Sequence, residues 1–185
     1  MSSRSPVSID KVYPNNLGQF RQIHSSSLPV VYSDTFFQKA IETTGSVFSR
    51  IAYYNDAAVG CIFGRDVTPA GSSTFAVEIL TLCVLPAYRR SGVASELVSS
   101  LIAWTRGHLS REAASDDSPF TSARVFLHVQ TSNSGARAFY AAQGFTPAPL
   151  PEGAAPFPGE AGLVVSGYYK GRVTPDDAAV LERLL

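Results

Sequence analysis

The sequence predicts a mixed α/β fold, one sheet flanked by helices, and three observations carry that prediction. Runs rich in β-branched and aromatic residues recur at Ser49–Tyr54, Ala58–Val67, Phe75–Leu85, Val125–Gln130 and Leu163–Lys170, the signature of strands. Apolar residues at three- and four-residue spacing place helices before and between them. The resulting order (helix, helix, strands, helix, strand, helix, strand) is that of elements layered on a single sheet.

The first helix spans Pro14 to Ser26, where Leu17, Phe20 and Ile23 fall on one face. Pro29 disfavours helix at the residue before it, which makes Leu28–Tyr32 a loop. Ser33 is placed to N-cap a second helix reaching Glu42. Asn55-Asp56 turns the chain between the first two strands. From Val93, the rows Val93/Leu97/Leu101 and Ala94/Val98/Ile102 form an apolar helical face as far as Trp104. Arg106 to Ser122 is polar, contains Asp116-Asp117-Ser118-Pro119, and reads as a surface loop. In the strand Val125–Gln130, period two puts Phe126, His128 and Gln130 on one face. The helix Asn133–Gln143 turns Ala136, Phe139 and Tyr140 inward and stops at Gly144. Thr146 to Gly162 is rich in Pro, Gly and Ala and reads as an exposed insertion. Thr174 is expected to cap a terminal helix with Pro175 in its first position and Asp176 and Asp177 in its first turn.

With 185 residues the chain is long enough for a real core and is expected to be one domain, 1–185, carrying the 146–162 insertion. Fifteen Lys and Arg balance fifteen Asp and Glu, so no chain-wide basic footprint for nucleic acid is expected. No apolar run reaches the length of a membrane span, and Met1–Val7 lacks the apolar core of a signal peptide. Cys61 and Cys83 sit in strand-like runs without metal-ligand spacing. They read as buried reduced thiols, and the expectation is a cytoplasmic protein without a metal.

The segment Leu80–Val98 carries the most chemistry. An apolar strand passes through Pro86 into Arg89-Arg90-Ser91-Gly92-Val93-Ala94, and a helix begins at once. A helix N-terminus leaves about four backbone N–H groups without intrahelical partners and carries partial positive charge. Gly92 lets a ligand reach the backbone, Ala94 keeps the first turn small, and Arg89 and Arg90 add cationic donors. That combination suits a pyrophosphate. On spacing alone, a glycine after two arginines reads equally well as a solvated turn.

The pattern Arg89-x-x-Gly92-x-Ala94 after a strand resembles the acetyl-CoA signature of the GNAT superfamily of N-acetyltransferases. Further segments are similar to one branch, the San-type protein N-terminal acetyltransferases (the N-alpha-acetyltransferase 50, or NatE, type). They are Leu28-Pro-Val-Val-Tyr-Ser-Asp-Thr-Phe-Phe37, Ala52-Tyr-Tyr-Asn-Asp-Ala-Ala-Val-Gly60, Leu127-His-Val-Gln-Thr-Ser-Asn-Ser134, Phe139-Tyr-Ala-Ala-Gln-Gly-Phe145 and Gly167-Tyr-Tyr-Lys170. Only the N-terminus, the loop after Trp104 and the insertion fall outside. The resemblance implies the GNAT fold, a mixed, mostly antiparallel sheet splayed between two central parallel strands. It implies a grip on acetyl-CoA: Leu82, Cys83 and Val84 beside the pantetheine arm, Arg89, Arg90, Ser91, Gly92, Val93 and Ala94 on the pyrophosphate, and Asn133 and Tyr140 near the thiol. It implies a peptide site formed by Leu28, Pro29, Val30, Tyr32, Leu80, Tyr168 and Tyr169. The implied partners are peptide or protein N-termini, together with the auxiliary subunit of the NatA complex and the ribosome. Without that context, Tyr140 is a core aromatic, Asn133 a helix-terminal residue and Tyr168-Tyr169 half-buried strand packing.

The implied reaction is attack of a neutral amine on the acetyl thioester carbonyl, which needs a proton acceptor for the amine. Relatives of this type use a strand tyrosine and the histidine of Leu-His-Val-Gln, here His128. The tyrosine position is occupied by Glu78. A carboxylate there resembles the lysine acetyltransferase branch, where a glutamate is the base through water, so Glu78 shares or assumes proton abstraction if the cleft raises its pKa. The bland alternatives are a structural strand histidine and a solvated edge carboxylate. An N-terminal amine, with pKa about 7.7–8.0, is roughly a quarter neutral at pH about 7.4, whereas lysine is about 0.1% neutral. That gap is worth roughly 3–4 kcal/mol. The expected activity is therefore N-terminal acetylation, preferring Met followed by an apolar residue. The alternatives are lysine acetylation with Glu78 as base, and a largely non-catalytic subunit of a ribosome-associated complex.

Overall fold

The computed structural model describes residues 7–42, 45–113, 119–150, 152, 159–160 and 162–185. In chain order these form β1 (Val7–Lys11), α1 (Leu17–Ser27), α2 (Asp34–Lys39), β2 (Val47–Tyr54), β3 (Ala57–Asp66), β4 (Thr74–Val84), α3 (Val93–Ala113), β5 (Ser122–Gln130), α4 (Ser134–Ala142), β6 (Thr146–Pro147), β7 (Val164–Val165) and β8 (Ala178–Leu184). The chain divides into two compact units, Met1–Asp66 with Ile79–Trp104, and Val67–Glu78 with Thr105–Leu185.

In the first unit, β1 pairs antiparallel with β2 and β2 with β3, and the end of β4 follows β3 in the strand order. Asn55 and Asp56, both at positive φ, make the turn between β2 and β3. One face of α1 buries Leu17, Phe20, Ile23 and His24, the 3–4 spacing of an amphipathic helix. Phe20 meets Phe37 and Phe63 edge-on at centroid distances of 6.2 and 6.3 Å, and Ile51, Cys61 and Cys83 complete that core. Ser33 caps α2 as expected, its side chain accepting from the Phe36 N–H.

In the second unit, β5 is buried at every second residue (Ala123, Val125, Leu127, Val129), with Phe126, His128 and Gln130 on the other, half-buried face. β5 starts beside the start of β4, since Thr121 N–H donates to Ser73 O and the Thr74 and Ser122 hydroxyls are 2.9 Å apart. The two strands therefore run parallel, joined by α3 as the crossover. Asn133 caps α4, and Gly144 at φ +80° terminates it.

Four expectations need correction. Residues 178–184 are not a terminal helix but β8, antiparallel to β5 over its whole length and flanked by β6 and β7. Ala178–Leu181 are all buried, and a continuous apolar run with Leu, Glu and Arg carries no strand periodicity, so helix propensity dominates a local reading. Leu163–Lys170 is a strand only at Val164–Val165, and 166–172 are turns. α3 continues nine residues beyond Trp104 to Ala113, because Thr105 is fully buried and His108 stacks on Phe75 at 4.4 Å. β1 has no counterpart in the sequence reading. The rest of the expected 106–122 loop and much of the 146–162 insertion lie outside the described residues. Where described, the insertion is not wholly exposed: Ala148 is buried, and Glu160 forms a two-pronged pair with Arg137 of α4 (2.8 and 2.6 Å).

Candidate active site

The strand-to-helix turn is built locally. β4 ends at Val84, Pro86–Tyr88 form a single 3-10 turn, and Arg90 and Gly92 take positive φ of 65° and 87° before α3 begins at Val93. Arg89 Nε donates to Val84 O at 3.2 Å, which holds this exposed side chain back over the strand end. Arg90, Ser91 and Gly92 are exposed, and a Cβ on Gly92 would meet nothing within 4 Å. The turn is thus open to solvent, carries two arginines and leads directly into the N-terminus of α3, a chemistry that suits a pyrophosphate. Closer in, a Cβ on Gly60 would lie 2.8 Å from Val93 Cγ1 and 3.0 Å from Cys83 O, so glycine there lets β3 pass under the turn. On β4, Leu82 and Val84 share the half-exposed face while the Cys83 side chain points into the core.

The proposed peptide loop lies in the same unit. Leu28, Tyr32 and Leu80 are partly buried against the core formed by Phe20, Phe37 and Phe63. Tyr32 stacks on Phe36 with centroids 4.3 Å apart, Pro29 is exposed, and Val30 is half-buried. Leu80, Phe36 and Phe63 also line a cavity of about 380 Å³ together with Lys39, Arg65 and Asp66. Beneath lies a polar knot that sequence reasoning did not find. His24 contacts Phe20 O through Nδ1 and the Thr81 hydroxyl through Nε2, both at 2.8 Å. Burial lowers the His24 pKa, the Phe20 contact opposing it, and burial together with Cys83 pushes the Cys61 thiol up.

The candidate acid–base groups stand in the second unit. Glu78, near the middle of β4, places Oε1 3.2 Å from Nδ1 of His128 on β5. Their side chains are 8% and 17% exposed, so the pair is shielded from bulk screening. Nδ1 is itself buried with no hydrogen bond of good geometry, so the carboxylate sits off the N–H direction and acts on the imidazole chiefly through its charge. Tyr168 lies flat on the imidazole, centroids 4.2 Å apart and planes 7° from parallel, and Tyr169 donates its hydroxyl to His128 O at 3.1 Å. Asp177 ties down the turn that carries both tyrosines by accepting from Ser166 Oγ (2.7 Å) and Gly167 N–H (3.0 Å), contacts that lower its pKa. Glu78, His128, Tyr168 and Tyr169 are therefore brought together. Asn133 uses its Oδ1 to cap α4 (3.1 Å to Ala136 N), and Tyr140 is a buried aromatic between Phe139 and Phe145. Nothing in the sequence pointed to the stack on His128, because Tyr168 lies forty residues downstream, in a turn.

The strand-to-helix turn with its arginines and glycine is of the kind an acyl-CoA transferase carries, and the chain belongs to the acetyltransferase (GNAT) family, whose profile matches residues 17–145. Its relatives include a probable N-acetyltransferase san of Drosophila melanogaster, 31% identical over 99% of this chain and 83% of the relative. N-alpha-acetyltransferase 50 of Danio rerio is 28% identical over 97% of this chain and 89% of that protein. Among solved structures, Arabidopsis thaliana Naa50 in complex with the bisubstrate analogue CoA-Ac-MVNAL superposes with a TM-score of 0.72 at 29% identity, covering 96% of this chain and 98% of that one.

Proposed function

We propose that this protein is an N-terminal acetyltransferase that moves the acetyl group of acetyl-CoA to the α-amine of peptides beginning with Met and an apolar residue. The observation that carries the reading is the His128–Glu78 pair with Tyr168 stacked upon it, in a chain that aligns almost end to end with N-alpha-acetyltransferase 50 proteins. The Arabidopsis complex holds an analogue whose peptide starts Met-Val, which supports the sequence preference.

Acetyl-CoA supplies the activated acyl carbon. In this reading Arg89 to Ala94 would hold its pyrophosphate, Leu82 to Val84 would offer strand backbone to the pantetheine arm, and Asn133 and Tyr140 are assigned to the thiol. Leu28, Pro29, Val30, Tyr32 and Leu80 are assigned to the peptide's first side chains, and Tyr168 and Tyr169 to the peptide as well. His128 accepts the proton that the amine loses as its nitrogen bonds to the acyl carbon, and the carbon–sulfur bond of the thioester breaks to release CoA as its thiolate. Glu78 stabilises the resulting imidazolium from 3.2 Å. This assigns Glu78 to the histidine's support, where the family tyrosine would stand. Because an N-terminal amine is already partly neutral near pH 7, a weak base of this kind suffices.

Glu78 favours one second reading, lysine acetylation with the carboxylate as base. Both are tested by steady-state kinetics on Met-Val, Met-Leu and internal-lysine peptides with wild type, Glu78→Gln and His128→Gln. Acetylation of internal lysine as fast as of Met-Leu would refute the main reading. Loss of activity in Glu78→Gln but not in His128→Gln would establish the second. Failure to bind acetyl-CoA in calorimetry would instead leave a non-catalytic subunit. The reading extends to a cytoplasmic setting, which the free thiols Cys61 and Cys83 support, and to the NatA auxiliary subunit and the ribosome as partners by family resemblance. Ribosome co-sedimentation checks the latter.

A further inference from the structure

We infer that Tyr168 has a second role beyond walling the peptide site: it is a positioning residue that holds the His128 imidazole in its working orientation. This rests on the proposed assignment of His128 as proton acceptor.

His128 sits on the half-exposed face of β5, where a side chain has rotamer freedom unless something opposes it. Glu78 approaches one edge at Nδ1, but off the N–H direction, so it attracts the ring without fixing its rotation. Phe126, the neighbour on the same face, is 6.0 Å away and tilted by 71°. The flat contact is with Tyr168, at 4.2 Å and 7°. A parallel ring covers one whole face of the imidazole and holds its plane against tilting about χ2, which keeps the ring edge in line with Glu78.

Tyr168 is in turn held by its surroundings rather than by the histidine alone. Tyr169 packs edge-on against it at 4.8 Å and anchors to the His128 carbonyl. Tyr169 N–H donates to Asp176 O at 2.7 Å, and Asp177 clamps Gly167 and Ser166 just upstream. The stack is thus imposed by a pinned turn. A ring stack of this kind contributes about 0.5–1.5 kcal/mol, so its loss lowers kcat by about two- to twelvefold.

The test compares Tyr168→Phe, which keeps the ring, with Tyr168→Leu, which removes it. Only three histidines are present, so NMR of the ring protons is tractable and His128→Gln assigns the signal. In the free protein, His128 ring protons are expected upfield from the ring current of Tyr168, unchanged in Tyr168→Phe and relaxed downfield in Tyr168→Leu. In kinetics, Tyr168→Leu is expected to lower kcat more than Tyr168→Phe does, as well as to raise KM for peptide. A rise in KM alone for Tyr168→Leu, or ring protons that do not move, overturns the inference. If the wild type acetylates only lysine peptides, the proposed substrate class fails, and the same kcat comparison read on lysine still decides the role of Tyr168.

Discussion

Replacing Glu78 with Gln removes one charge and almost no volume, which makes it the sharpest probe of the site. The carboxylate lies 3.2 Å from Nδ1, and full Coulomb attraction to an imidazolium at an effective dielectric of about 20 would be about 5 kcal/mol. Desolvation of both groups and the off-axis approach reduce this toward the about 1.5–3 kcal/mol typical of an interaction with a charged partner. Since the charge is felt only once His128 has taken a proton, the loss falls on the transition state and not on substrate binding. The expected effect is a fall in kcat of about 10- to 150-fold with KM for the Met-Leu peptide little changed. A double-mutant cycle with His128→Gln sharpens the test, because residues that act as one unit are not additive. The double variant is expected to be no slower than His128→Gln alone. If Glu78→Gln stays within about threefold of wild type, or if the two losses multiply, the carboxylate–histidine pairing is wrong.

Three further outcomes follow from particular contacts. Gly92→Ala meets no steric obstacle but forces a side chain onto φ +87°, at a cost of about 1 kcal/mol, and is expected to weaken acetyl-CoA binding in calorimetry several-fold, as is Arg89→Ala. Gly60→Ala would place a methyl 2.8 Å from Val93 Cγ1 and 3.0 Å from a backbone oxygen, so a loss of about 1–3 kcal/mol in urea denaturation is expected. His24 is buried with its pKa lowered, so below its ordinary value of about 6.5 the unfolded chain binds the extra proton first. Stability is therefore full above that pH and declines as pH falls through it; His24→Phe should flatten this part of the urea midpoint–pH curve, and an unchanged slope would remove His24 as its cause.

Local chemistry was the legible part of this protein. The Asn55-Asp56 turn, the Ser33 cap, the helix start at Asn133, the Gly144 stop and the Arg89–Ala94 turn are each specified within a few residues, and each stands where the sequence placed it. The misread elements depend on distant partners. Ala178–Leu184 has the composition of a helix and becomes a strand because β5 offers it a full ladder of hydrogen bonds, with β6 and β7 on its other side. Residues 105–113 look polar enough for a loop, yet Thr105 is buried and His108 has Phe75 to stack on, so the helix continues.

By itself the sequence determined the family and the glycine-bearing turn between strand and helix, and it singled out Glu78 and His128 as candidates, because helix caps, glycine turns and residue types are properties of short segments. Only the tertiary structure decided what those residues do to one another. Glu78 and His128 lie fifty residues apart on neighbouring strands, and the Tyr168 ring comes from a turn pinned by Asp177. Distances of 3.2 and 4.2 Å between such groups arise from strand pairing and loop anchoring, which no local pattern encodes.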